Sequence, residues 1–331
     1  MTRLIDLEPF SSSSEAIRFA AKHILENPSK SISLRAPLTI SGCLALSLIE
    51  SALVDLGRPY SRRFTPSSIE GSDILIDILD KHDAETEWSE LDEILSINPT
   101  TVHALDGHRG DGRHGRLSPV ALAASLMEEL SPEGVRSSRL LPFSIAGNWL
   151  HDAMDQTYDP VYTFIRDYLQ NIGRILVVPL PEVPDSSVEM LPELDPFLLE
   201  GLTLGWKKMD LEDQARSLST YFLPLLSLDR PSTPRIEELG WHRILAPDWS
   251  RDLASQLHDL SIEWNQEDGE CLIEIIMEDA EYSSNGAPKL YFTDADNNEY
   301  LLGSMSSGIH HSIFPNDSQY DQYDFSSYQQ R

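Results

Sequence analysis

TVHALDGHRGDGRHGRLS, residues 101–118, is the stretch on which the fold turns. An apolar, β-branched run ends in Asp106-Gly107-His108. A passage rich in glycine and arginine follows, and a helix-like segment opens at Ser118-Pro119. Read as a strand that carries Asp106 and His108 to its carboxyl end, the run supplies the third strand of a parallel sheet. Three chemistries fit such an end: a metal site, a glycine loop around a nucleotide, or a solvated surface loop.

The flanking sequence favours the sheet. APLTISG (36–42) reads as a short buried strand, and CLALSLIESALVDLG (43–57) as an apolar helix stopped by Gly57. SDILIDILD (72–80) is a second buried strand, followed by acidic, helix-compatible sequence to about Leu95. SPVALAASLMEEL (118–130) and SRLLPFSIAGNWLHDAMDQ (138–156) read as helices. Ahead of these, EAIRFAAKHILEN (15–27) sets Ile17, Phe19 or Ala20, and Ile24 on one face after a serine run placed to cap it. Short buried strands alternating with helices predict an α/β fold with a parallel sheet, whose ligands bind at the carboxyl ends of the strands. Ser41-Gly42, Asp77 or Asp80, and Asp106-Gly107-His108 all fall at that edge.

The later sequence changes in texture. VYTFIRDYLQNIGRILVV reads as one long helix or as a helix running into a strand, and the proline- and acid-rich passage 179–196 as an exposed linker. Helical stretches span about 196–228 and 248–260. From 261 to 303 strands alternate with turn residues, and PNDSQYDQYDFSSYQQR (315–331) reads as disordered. The expected organisation is an α/β core over 1–156, a mostly helical connector over 157–260, a small strand-rich α+β domain over 261–314, and the tail.

Composition narrows the partners. The 331 residues hold 54 acids against 25 bases, a formal charge of -29, so a phosphate backbone meets repulsion except at a local basic groove. Only six of the bases are lysine, which fits either a salt-adapted proteome or an acidic surface for docking proteins. Cys43 and Cys271 form no CxxC pair, and no apolar run approaches the length of a membrane span. The start lacks the apolar core of a signal peptide, and a cytoplasmic location away from membranes is the expectation.

GDGRHG (110–115) matches GxGxxG, but the dinucleotide fingerprint needs its first glycine at the strand end and its third inside the helix. Here four residues intervene and the helix opens only at Ser118, which argues against it. A two-metal site for Mn²⁺ or Mg²⁺ needs mainly oxygen ligands from several strand ends. Asp77, Asp106, His108, and His151 or Asp152 are the candidates. Taken alone, Asp106 and His108 read more simply as loop residues; His103 reads as packed, and His310-His311 as loop positions.

The order of these elements resembles the DHH phosphoesterases, the superfamily of RecJ-type exonucleases, nanoRNases and inorganic pyrophosphatases. In that family a first strand ends in Asp-x-Asp-Gly, a second in Asp and a third in Asp-His-His, and a Gly-containing helix adds an Asp. ALDGH (104–108) resembles the third motif with Gly107 in place of the central His. LIDILD (75–80) resembles the second, with Asp77 as ligand, and FSIAGNWLHDAMD (143–155) the Gly-containing helix, with His151 on the ligand position and Asp152 beside it. The first motif departs most: the two aspartates fall on Thr39 and Ser41, with Gly42 retained. IEELGWHRILAPDWSRDLASQL (236–257) is similar to the helical connector of archaeal RecJ-like proteins, and LLGSMSSGIHHS (301–312) to the substrate loop of the DHH-associated domain.

The resemblance implies a vestigial metal site and a catalytically inactive, RecJ-like structural subunit of an archaeal-type replicative helicase assembly. GINS and MCM are then the expected partners. Single-stranded DNA is a further candidate ligand, with Arg109, Arg113 and Arg116 supplying local positive charge, and no resident cofactor is expected. The alternative is a working Mn²⁺-dependent phosphoesterase or single-strand exonuclease, and a third reading is a free-standing binding module.

Overall fold

The helix Ile40–Asp55 (α2) is apolar on every side, and its residues from Gly42 to Leu53 are buried almost without interruption. Such a helix belongs inside a protein rather than on its surface. In the computed structural model it lies between a sheet and the helices Pro119–Leu130 (α3) and Val135–Leu140 (α4). The structure describes residues 2–37, 39–63, 73–79, 84–106, 112–151, 158–191, 193–228, 230–247 and 249–265, with strand segments 272–275, 289–293, 299–304 and 309–312.

The sheet has five strands in the order β2-β1-β3-β5-β4: β1 is Ile32–Arg35, β2 Tyr60–Arg63, β3 Ile74–Ile78, β4 Glu87–Ser89 and β5 Ile94–Ile97. β1 runs parallel to β2 and β3, β3 runs parallel to β5, and only the edge strand β4 is antiparallel. The mixed α/β class with a mostly parallel sheet is therefore present. Chain order reverses between β1 and β3, the type of switch point at which open α/β sheets form a crevice.

Several boundaries differ from the sequence expectation. The first strand lies at 32–35 and not 36–42, because Pro37 supplies no N–H and Thr39 already caps α2, its Oγ1 accepting from the Gly42 amide at 3.1 Å. A Cβ on Gly42 would stand 2.2 Å from the Pro37 carbonyl oxygen, so this tight corner admits glycine alone. The serines 11–14 sit inside helix Ser11–Glu26 (α1) rather than capping it; Ile17, Ala20 and Ile24 are its buried stripe, and Phe19 is exposed. Gly57, at φ +64°, stops α2 as expected: its amide donates to the Val54 carbonyl and that of Arg58 to Leu53.

The acidic stretch before Leu95 is not helical. It forms β4, a turn in which Ser89 and Asp92 bond each other, and β5, with Leu95 and Ile97 buried. The opening stretch, read above as the third parallel strand, is instead an antiparallel hairpin of Thr100–Asp106 (β6) and Gly112–Leu117 (β7). Its burial explains this: Val102 and Ala104 face inward while Thr101 faces water, the alternation of a one-sided ribbon rather than of a strand covered on both faces. Gly115, the third glycine of GxGxxG, is thus a strand residue, against the nucleotide loop.

The helix read over 138–156 is broken into α4, a 3-10 segment Leu141–Ile145 and Ala146–Leu150 (α5), because Pro142 interrupts the hydrogen-bond ladder. Residues 160–178 follow the second alternative, helix Pro160–Asn171 (α6) and then strand Leu176–Val178 (β8). The passage 179–196 is not an exposed linker: Leu180, Val183, Val188, Leu191 and Leu194 are buried along it.

Helices Pro196–Trp206 (α7), Leu211–Phe222 (α8) and Thr233–Trp241 (α9) follow. Strand Arg243–Leu245 (β9) pairs antiparallel with β8, and helix Leu253–Asn265 (α10) comes after it. Buried apolar residues from Leu4 to Leu260 pack as one cluster. Farther on, Leu272–Ile275 (β10) pairs with Ile309–Ser312 (β13), and Lys289–Thr293 (β11) with Glu299–Ser304 (β12). His310 and His311 thus lie on a strand, opposite Glu274 and Ile273, and not in a loop. The tail 315–331 and Cys271 lie outside the described residues.

Candidate functional site: a cleft at the carboxyl end of the sheet

A cavity of about 180 Å³ opens where β1 and β3 end. Thr39, Ser41 and Gly42, from the corner into α2, form one wall, and Ile78 and Leu79 continue it from β3. Arg116 and Ser118 enter from the end of the hairpin, and Asn148 and His151 from α5. The α2 and α3 N-termini both border the cavity, each capped by a hydroxyl: Thr39 on α2 and Ser118 on α3, the latter accepting from the Ala121 amide at 3.2 Å. Gly147 lets α5 press against that second cap, since a Cβ there would lie 2.5 Å from the Ser118 Oγ.

The polar framework is cross-braced. Asn148 donates its Nδ2 to the Arg116 carbonyl at 2.7 Å and to Asp159 Oδ2 at 3.0 Å. Asp159 is buried and caps α6, its other oxygen accepting from the Val161 and Tyr162 amides. The Arg116 Nη1 lies 2.7 Å from the His151 Nε2. A guanidinium only donates, so Nε2 must accept, and its lone pair is spent on Arg116. Behind His151, Arg235 stacks over Trp149 at 4.5 Å and donates to the Trp149 carbonyl at 2.9 Å.

Asp77 does not line this cavity. It lies on β3 directly opposite Arg35 on β1, and Arg35 holds it bidentately: Nε donates to Oδ1 at 2.8 Å and Nη2 to Oδ2. The carboxylate raises the Arg35 pKa above its ordinary value, against the opposing effect of burial. A carboxylate so engaged has a cation already in place of a metal.

The sequence-derived residues therefore separate into groups. Thr39, Ser41, Gly42, Arg116 and His151 meet at the cleft, and Asp77 sits at the same sheet end in its ion pair. Asp106 ends β6 opposite Gly112, and Arg113 is exposed on β7 opposite Leu105. The Asp106 side chain, Asp80, Gly107, His108, Arg109 and Asp152 lie outside the described residues. His103 is partly exposed, 3.6 Å from Glu8 and edge-on to His114. Sequence reasoning missed Arg35, Ser118, Asn148 and Asp159. Asp159-Pro160 carried a readable cap signal, an acceptor followed by proline at the first helical position. Ser118-Pro119 carried the same signal for α3, and the roles of Arg35 and Asn148 depend on pairing between distant segments.

The described donors do not fit a pair of divalent ions. Among the described residues no three His, Cys, Asp or Glu side chains come together; Asp159, which lines the cleft, is engaged by Asn148 and the α6 amides, Asp77 is bonded to Arg35, and the cleft imidazole is bonded to Arg116. Two helix N-termini, the hydroxyls of Thr39, Ser41 and Ser118 and a guanidinium, against the one lining carboxylate among the described residues, that of Asp159, which Asn148 and the α6 amides already engage, favour an anion there instead. No protein-family model matches the chain, and no curated protein matches it by sequence.

Proposed function

We infer that this chain is a non-hydrolytic binding subunit on a DHH-like α/β framework. Along the line of the resemblance, its role is that of a structural RecJ-like subunit in a replicative helicase assembly, docked to GINS and MCM. The observation that carries the reading is the Arg35–Asp77 pair. At the strand end where the resemblance expects a ligand carboxylate, an arginine of the neighbouring strand neutralises it.

A second feature supports it. In sheet order the third parallel strand after β1 and β3 is β5, and β5 runs into Asn98-Pro99. Asn98 is a neutral amide, buried, donating to the Glu85 carbonyl at 2.9 Å. With Thr39 and Ser41 on the first motif, the three strand ends then offer two hydroxyls, an engaged carboxylate and an amide. Such a set neither binds two Mn²⁺ ions nor lowers the pKa of a water. What the cleft retains is the capacity to hold a phosphate without cleaving it, which suits single-stranded DNA passing along it.

The test has two arms. Mn²⁺-dependent hydrolysis of end-labelled single-stranded DNA and short oligonucleotides is expected to match that of the Asp77→Ala and Asp106→Ala variants. Turnover lost in either variant would sink the non-hydrolytic reading. Co-elution with GINS and MCM from the same source is expected, and its failure would leave a free-standing binding module.

A further inference from the structure

Helix α7 has the sequence PFLLEGLTLGW, yet among its residues only Leu199 and Trp206 are buried. Phe197, Leu198 and Leu204 are 81%, 63% and 76% exposed. An amphipathic surface helix turns one apolar stripe inward and a polar face outward; α7 is apolar on both faces, and a helix of that kind belongs between two layers of protein. Phe197, Gly201 and Leu204 follow the i, i+4, i+7 spacing of one face, and the space above Gly201 is open, leaving a notch between two apolar side chains.

A groove of about 480 Å³ runs beside this ridge. Pro196, Glu200 and Leu204 of α7 form one side, and residues 184–189 the other. Asp185, Glu189 and Glu200 line it, and the one lining cation among the described residues, Arg251, is already paired with Asp259 at 2.8 Å and lies 3.8 Å from Asp185. An apolar ridge beside an acidic trough defines its complement. A second copy of this chain, at a formal charge of -29, brings acid to acid, and so does the segment 315–331, with three aspartates and one arginine.

We propose that α7 and the adjoining groove are the docking site for a basic amphipathic helix of a partner protein. Its leucine-like side chains seat between Phe197 and Leu204, and its lysines or arginines lie against Asp185, Glu189 and Glu200. The proposal stands on this surface and not on the cleft. Turnover in the cleft would leave it intact, and its failure would leave the cleft reading intact.

The experiment is a fluorescence-anisotropy titration of the full chain with labelled helical peptides of about 18 residues, five turns long. One carries a leucine face and lysines, a second replaces the lysines by glutamine, and a third replaces the leucines by serine. The leucine–lysine peptide is expected to bind best. Its affinity should fall about tenfold or more in Phe197→Ser/Leu204→Ser and also in Glu189→Gln/Glu200→Gln. All four positions are exposed, so thermal unfolding of the variants should stay at the parent value. Equal affinity across parent and both variants would overturn the proposal, as would preference for the serine–lysine peptide, which reports charge alone. A concentration-dependent dimer in sedimentation that Phe197→Ser/Leu204→Ser abolishes would overturn it in favour of self-association.

Discussion

The sheet end and the layer built on β8 and β9 each hold an arginine–aspartate pair, and the two pairs serve different ends. Arg243 and Asp252 are wholly shut off from water. Arg243 donates to Asp252 at 2.9 Å and to the carbonyls of Leu239 and Ser187, while Asp252 also accepts from the Ser255 amide and hydroxyl in the first turn of α10. That pair joins α9, α10 and the passage around Ser187. Arg35 and Asp77 bond each other across β1 and β3, which their backbones already hold in register. The difference teaches how to read a buried acid. Where its partners span several segments and water is shut out, the pair is architecture; where it spans neighbouring strands beside a cleft, its consequence is to silence a carboxylate.

The largest effect expected is on the closed pair. Asp252→Ala leaves a guanidinium with no charge partner in a dry site and uncaps α10, at a cost of about 3–5 kcal/mol in urea unfolding. A loss below about 1 kcal/mol would erase the distinction drawn above. Arg35→Leu is the smaller counterpart, at about 1–3 kcal/mol, because Asp77 stands nearer water. Arg35→Leu/Asp77→Leu should recover most of the stability, since apolar replacement of both partners is often neutral. Failure to recover would show that the pair builds the sheet end and does not merely neutralise it.

What could be read in advance follows this same divide between local and distant. Gly57 stopping α2, Ser118-Pro119 opening α3 and the apolar run of β3 are signals within a few residues, and the fold uses each of them. The hairpin β6–β7 was misread because a short apolar run looks alike in a parallel strand and in an antiparallel ribbon; only the partner across from it decides. β5 was hidden by acidic neighbours, and the break at Pro142 was outweighed by the helical period around it. At the site, Thr39, Ser41, Gly42 and His151 were readable as motif positions, and Arg116 as local positive charge. The arginine that occupies Asp77 was not, because Arg35 and Asp77 are 42 positions apart and meet only through strand register.

The cleft offers a contrast within one strand. Arg116 lines it beside His151, whereas Arg113, three residues earlier on β7, faces water. Arg116→Gln should weaken binding of a labelled short oligonucleotide by about tenfold, the scale of one charge-assisted contact. Arg113→Gln should change it by less than about threefold, the general electrostatic share. Equal losses would mean that diffuse charge, and not the cleft, holds the strand.

Glu128 extends the comparison to an acid to which no arginine is bonded among the described residues, and the smallest effect is expected there. Its carboxylate accepts from the Leu4 amide at 2.8 Å and from the Tyr168 hydroxyl at 3.0 Å. Burial pushes its pKa above the usual carboxylate value, these two donors and the charges of Arg3 and Arg174 pulling back only in part. A carboxyl group with a raised folded-state pKa keeps its proton longer folded than unfolded. Its penalty is absent below the unfolded pKa, grows as pH rises through the folded pKa, and is constant above it. Glutamine removes that penalty and keeps both contacts, because its oxygen accepts from Leu4 while its amide donates to a Tyr168 hydroxyl that has turned to accept. Glu128→Gln should therefore be more stable than the parent near pH 7 by less than about 1.4 kcal/mol, the worth of one pKa unit, and the gain should vanish near pH 4. A loss of stability at pH 7 would place Glu128 with Asp252, as an acid whose charge the fold requires.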